Sequence, residues 1–218
     1  MQGDSIMVNL RLDTRRGPFV LECPDSDESL GCALLERFDT DGQEPSVEPG
    51  LLTLHETAWE WYFMSWRDGV WVAIEPDTSP NPAGHARTCL LLLPTFARVE
   101  DFVRRVGAGS IDVPHWDTIV SFERSAMLAR HVYMSRPVGV HMYQDSGWYV
   151  TGEKHLPDTA RKERYLRFTT VGVTDVLRHR PGMFDVMGLP SSDRIIEIDG
   201  DRVVAVWDQS GRDSYDGA

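Results

Sequence analysis

Ile6, Val8, Leu10 and Leu12 alternate with polar neighbours near the start of the chain. A period of two sends successive side chains to opposite faces, so this segment predicts a strand with one apolar face. Arg15-Arg16-Gly17-Pro18 supplies a turn, and Phe19-Val20-Leu21 a second strand. Leu30, Ala33, Leu34 and Phe38 then recur at helical spacing behind Asp25 and Glu28, whose separation resembles a capping box, which predicts a helix over about 27–38. Residues 39–50, with Asp, Gly, Glu and two prolines, read as a loop. Leu51–His55 and Ala58–Trp66 read as extended. Asp68-Gly69 makes a hairpin turn that returns the chain through Val70–Ile74. The Pro/Asn/Gly-rich stretch 76–86 predicts another loop, followed by a strand over 87–93 and a helix on which Val99, Phe102, Val103 and Val106 share one face.

Gly107-Ala108-Gly109-Ser110 interrupts this pattern and marks a boundary. The expected organisation is an acidic unit over 1–110, a second unit over 117–210 and a disordered tail over 211–218. The second unit reads as a strand near Ile119, a short helix near Met127, strands at 138–143 and 147–151, and a helix near 172–179. A final hairpin joins Arg194–Ile198 to Arg202–Trp207 through Asp199-Gly200. The predicted class is α+β, with mixed or antiparallel sheets and a few short helices in two packed units.

A chain of 218 residues, 41% hydrophobic and 26% charged, has enough apolar material for a full core. Its formal net charge is −12, and the sign is unevenly spread: residues 1–60 hold 13 acids against 4 arginines, whereas 121–180 hold 6 acids against 10 bases. Acidity of this kind argues against nonspecific attraction to nucleic acid or an anionic membrane and suits a basic protein partner. No signal segment or membrane span is expected, because the apolar run from Cys89 stops at Pro94, well short of the ~20 residues a spanning helix needs. Cys23, Cys32 and Cys89 form no CxxC and leave one thiol over, which fits a reducing cytoplasm.

Chemistry-bearing motifs are sparse. Gly3-Asp4-Ser5-Ile6 imitates an esterase nucleophile block but has no preceding strand to present the serine. Asp39, Asp41, Gly42 and Glu48 align with part of a calcium loop, yet Arg37 falls where its first carboxylate belongs. The seven histidines lack HExxH or zinc-finger spacing, although His131 and His141 have room to meet in space. Neither a phosphate loop nor a dinucleotide fingerprint is present, so the residues point to no cofactor, no metal and no catalytic group. Trp59, Trp61, Tyr62, Phe63, Trp66 and Trp71 crowd together, either as core on both faces of a covered strand or with an exposed tryptophan as a binding anchor.

The strongest signal lies in the second unit. Val138-Gly139-Val140-His141-Met142-Tyr143, followed by Asp145-Ser146-Gly147-Trp148-Tyr149-Val150-Thr151-Gly152-Glu153, resembles the core motif of the immunity-protein-33-like family. The downstream order is similar too: Val173, Val176 and Leu177, then Pro181, Phe184, Met187, Leu189 and Pro190, then Ile195–Glu197. The resemblance covers roughly 119–208. Gln144 alone replaces a longer family loop, and a basic stretch from Lys154 to Arg167 replaces an acidic run. Membership would imply an intracellular bacterial protein that binds and neutralises a cognate toxin, with no catalytic residue. Asp145 and Ser146 would fix the turn, Gly147 would accept its backbone strain and Trp148 would anchor the returning strand.

The expected partner surface is the acidic helix and loop carrying Glu28, Glu36, Asp39, Asp41, Glu44 and Glu48, opposed only by Arg37 and suited to a basic toxin. The rival from another class is a small hydrolase assembled from carboxylates or histidines of both halves. A regulatory binding module is the third reading.

Overall fold

The alternating segment forms β1 (Met7–Thr14), with Asn9, Arg11 and Asp13 exposed on one face and Val8, Leu10 and Leu12 half-buried on the other. It pairs antiparallel with β2 (Gly17–Pro24) around Arg15-Arg16. The computed structural model describes residues 6–43, 50–54, 59, 61–78, 86–138, 145–153, 168–192, 194–208 and 213–216. The chain divides into two compact units, Met1–Arg98 and Val99–Ala218.

In the first unit α1 (Glu28–Asp41) buries Gly31, Leu34, Leu35 and Phe38 over β1 and β2. A side chain at Gly31 would put its Cβ 2.7 Å from Leu10 and 3.1 Å from Leu21, so glycine sets how closely helix and sheet approach. The expected capping box does not form. Asp27 stands at the N-cap without a side-chain bond, and a 3₁₀ turn over Asp25–Asp27 supplies the local backbone bond instead, Glu28 N–H to Asp25 O. The helix also outruns its expected end by three residues, which carries Asp39 and Asp41 from loop onto helix.

The first sheet has the order β1-β2-β5-β4-β3, with β3 at Leu51–Thr53, β4 at Phe63–Arg67 and β5 at Val70–Pro76; a two-residue β6 (Ala86–Arg87) also pairs with β5. β2 and β5 run parallel and the other pairs antiparallel. Asp68 and Gly69, at φ +48° and +86°, close the β4–β5 hairpin as expected for a turn needing two positive φ values. The strand expected over 87–93 is corrected: beyond β6 only Cys89 makes a bridge, with Glu22, before α2 (Leu93–Arg105) begins. The N–H groups of Leu91 and Leu92 bond to the Glu75 carboxylate rather than to a strand, and Pro94 fits the first turn of a helix, where its missing N–H costs nothing.

The second unit holds a sheet in the order β10-β7-β9-β8-β11-β12-β13. Its strands are β7 (Ile119–Glu123), β8 (His131–Ser135), β9 (Asp145–Thr151), β10 (Phe168–Gly172), β11 (Ile195–Asp199), β12 (Arg202–Trp207) and β13 (Asp213–Asp216). Only β7 and β9 are parallel. Short helices α3 (Val173–His179) and α4 (Pro181–Val186) bury Val173, Val176, Leu177, Met183 and Phe184; the later turns of α2 bury Val99, Phe102 and Val103, and Val106, just past its end, is buried too. The fold class is α+β, built on two sheets as the sequence pattern predicts.

Three expectations change here. The glycine-rich segment 107–110 does not mark the division, which falls inside α2. Gly107, at φ +69°, closes that helix, with Gly107 N–H bonded to Arg104 O and Ala108 N–H to Val103 O, the two bonds of a Schellman motif. The short helix near Met127 is a run of turns between β7 and β8, leaving Leu128 98% exposed. The tail is not wholly disordered: β13 pairs with β12, and Tyr215 stacks on Phe102 at 5.4 Å and under Arg105 at 5.6 Å. β8 is an addition that the sequence pattern did not reveal, and of the strand expected at 138–143 only Val138 lies among the described residues, outside any strand.

Candidate functional site

The Asp-Ser-Gly-Trp segment opens β9, the middle of three adjacent strands β7-β9-β8. Ile119 pairs with Asp145 and Ser121 with Tyr149, so four steps on β9 match two on β7. The segment is therefore a bulge inside a sheet and not a free-standing turn. Its side chains hold the distortion. Asp145 Oδ1 accepts from Gly147 N–H at 2.9 Å, and Ser146 Oγ donates to Ile119 O at 2.7 Å while accepting from Trp148 N–H at 3.3 Å. Gly147 takes φ +77°, where a side chain would be strained. Trp148 is 1% exposed in the core, and its indole N–H has no hydrogen-bond partner among the described residues.

Arg136 clamps this bulge. Its Nε donates to Ser146 O at 3.0 Å, and its Nη1 donates to Asp112 O at 2.7 Å and Leu189 O at 3.1 Å. The same Nη1 lies 2.9 Å from Asp112 Oδ2, and Ser192 N–H bonds to Arg136 O. Burial lowers the Arg136 pKa and Asp112 pulls it back up. Three segments distant in sequence thus meet on one guanidinium, whose fixed fork of donors suits carbonyls arriving from different directions. Sequence reading missed it. The available signal was parity, since Val132, Met134 and Arg136 occupy alternate positions and all three are buried.

A second buried ion pair stands in the first unit. Glu75, fully buried, accepts from Arg87 Nε at 2.6 Å, Leu91 N–H at 2.7 Å and Leu92 N–H at 3.1 Å. Burial raises its pKa against the opposing pull of Arg87 and the two amides. Tyr62 is buried close enough to feel that charge, its pKa raised by burial and then by Glu75, yet among the described residues its hydroxyl has no partner in hydrogen-bond geometry. Trp71, Ala73 and Glu75 share the buried parity of β5, so this residue too was legible as a carboxylate facing inward. Its bonds tie the approach to α2 onto β5, which is a structural task.

The partner-surface residues divide plainly. Glu28, Glu36, Asp39 and Asp41 lie on α1 and are exposed; Glu44 and Glu48 lie outside the described residues. Placing Asp39 and Asp41 on helix removes the loop that a calcium site would need there. The Arg37 guanidinium lies 5.1 Å from the Trp59 ring. Of the crowded aromatics, Trp59, Trp61, Tyr62 and Trp71 are buried and Phe63 is half-buried. Trp59, Trp61 and Tyr62 precede β4 and gather round Phe96 at 5.3–6.3 Å, so the expected double-faced strand is a cluster at the start of α2. Trp66 alone of the six is well exposed, at 46%, its ring 5.2 Å from Trp71.

His131 Nε2 meets Glu197 Oε1 at 2.7 Å on the sheet of the second unit, with Tyr133 Oη at 3.3 Å. His141 and the Gly3-Asp4-Ser5 block lie outside the described residues. No group of three metal-ligating side chains occurs among the described residues, and no described helix is long and apolar enough to cross a membrane. An open groove of about 360 Å³ on the first sheet is floored by Val20, Val70 and Val72 and edged by Glu22, Arg67 and Asp68. No family model, curated protein or solved structure matches the chain.

Proposed function

We propose that this protein acts by binding, as an immunity protein that captures and neutralises a cognate, basic toxin. The observation that carries the reading is the exposed acidic row of α1, with Glu28, Glu36 and Asp39 open to solvent on one side of the helix and Arg37 on another, over Trp59. Complementary charge of this kind raises association rates about 10-fold to 1,000-fold at low salt, which serves a protein that must reach a toxin before the toxin reaches its target. The motif similar to the immunity-protein-33-like family supports it from the second unit, where Asp145, Ser146, Gly147 and Trp148 are spent on holding a bulge and a core. Co-expression with a candidate toxin gene taken from beside this one tests the reading. Growth should be restored and the two chains should co-purify; unrelieved toxicity with no complex would contradict it.

A further inference from the structure

Among the described residues no strand pairs with the outer side of β1, which ends the first sheet. The backbone groups on that side can be assigned. Asp13 faces Pro18, which has no N–H, and Ile6 O accepts from Asp25 N–H in the same register at 2.9 Å. Hydrogen-bonded and non-bonded pairs alternate in an antiparallel ladder, so Ile6, Val8, Leu10 and Leu12 bond towards β2. Met7, Asn9, Arg11 and Asp13 therefore turn their N–H and C=O groups away from the sheet. β1 keeps an unbroken register over eight residues and contains no proline, so it lacks two of the devices that close an edge to further pairing.

Two features say what this edge accepts. Val8, Leu10 and Leu12 are only half-buried on the side facing α1, and Ile6, just before the strand, is 73% exposed. Above them, Glu28, Cys32, Glu36 and Asp39 fall within about 80° of the helix at 100° per residue. Arg37 sits about 180° from Glu28 by the same count and lies over Trp59, which packs on Tyr62 and Phe96 beside β4 and α2. The acidic row is thus on the other flank of α1, the flank over the open edge of β1.

We propose that the outer edge of β1 takes an extended strand from a basic partner protein by β-augmentation, with lysine or arginine side chains of that strand meeting Glu28, Glu36 and Asp39. Backbone bonds to Met7, Asn9, Arg11 and Asp13 supply the pairing, and the carboxylates choose the partner. A second copy of this chain is a poor occupant, because pairing two β1 edges brings the two acidic rows towards each other. The inference rests on the binding reading above and adds the surface and the chemistry of what it receives.

Cys32, exposed within the acidic row, reports occupancy without any substitution. The wild-type protein is alkylated with and without the neighbouring toxin, and separately with a peptide alternating lysine and valine or its N-methylated counterpart, which cannot form a ladder. Toxin should protect Cys32, and Glu28→Gln/Glu36→Gln/Asp39→Asn should weaken the complex by about tenfold or more at low salt, as should Asn9→Pro, which removes an outward N–H. If a toxin complex forms while Cys32 reacts at its free rate and the triple variant binds like wild type, this surface is overturned and the binding function stands elsewhere. If no toxin complex forms, the function fails by itself and the peptide decides: saturable binding lost on N-methylation upholds the edge, and no binding refutes it. Protection of Cys32 that grows with protein concentration alone, accompanied by a dimer in sedimentation, also refutes it by giving the edge to a second copy.

Discussion

Arg136→Met separates a buried guanidinium from an exposed one. Methionine keeps much of the stem's packing and removes donors to three carbonyls, Ser146 O, Asp112 O and Leu189 O. Orphaning a buried acceptor costs roughly 1–3 kcal/mol. The Ser146 and Leu189 acceptors are buried and the Asp112 carbonyl only partly so, so the losses sum to a few kcal/mol, and relief from burying the guanidinium offsets part of them. The ion pair with Asp112 adds little, since that carboxylate is half exposed to solvent. A net loss of about 3 kcal/mol follows, equivalent to about 6–12 °C in Tm for a chain of this size. The control is Arg130→Met. Arg130 reaches both oxygens of Asp199, at 2.7 and 3.3 Å, but its side chain is 81% exposed, so its loss should cost under about 1 kcal/mol. Urea denaturation followed by tryptophan fluorescence measures both. Equal losses in the two variants, or a loss under about 1 kcal/mol for Arg136→Met, would refute the assignment of the clamp.

Trp148→Ala should cost about 3–5 kcal/mol through lost burial and cavity formation, read as a fall in melting temperature; an unchanged Tm would remove the anchor role. Glu75 has a folded pKa raised by burial, so the folded state holds its proton more tightly than the unfolded chain. Its favourable contribution is complete below the ordinary glutamate range and is lost as pH rises through the raised folded value. Wild-type stability relative to Glu75→Gln should therefore decline from about pH 4.5 towards neutrality in paired denaturation curves, and a flat or rising difference would contradict the direction. Iodoacetamide should label exposed Cys32 first and buried Cys23 last, its thiol pushed up to about 11 by burial and the neighbouring Asp27; mass spectrometry of timed samples shows the order.

Periodicity carried the fold where one face is apolar and the other polar. β1, α1, the Asp68-Gly69 hairpin, the later turns of α2 and the β11–β12 hairpin all follow from such runs. It failed where a side chain replaces a backbone partner. Leu90 to Leu93 read as strand because they are continuously apolar, and the fully buried Glu75 carboxylate, 16 positions from Leu91, takes the amides that a strand would have used. Gly107 to Ser110 read as a linker because a helix cap and a flexible joint use the same residues. The Asp-Ser-Gly-Trp motif showed its bonding groups in sequence, yet the bulge depends on its register with β7, a pairing 26 residues away that local pattern does not carry. The acidic character of α1 was legible as composition. The row of Glu28, Glu36 and Asp39 along one flank of the helix became visible only with the helix placed on β1.

On the proposed function, the chain neutralises a toxin by occupying it. The most direct measurement is the toxin's own activity in vitro, titrated with purified wild-type protein at low ionic strength. A linear fall to zero at a fixed molar ratio is expected, with the triple variant Glu28→Gln/Glu36→Gln/Asp39→Asn needing a large excess for the same effect. Full toxin activity in the presence of excess wild-type protein would contradict it.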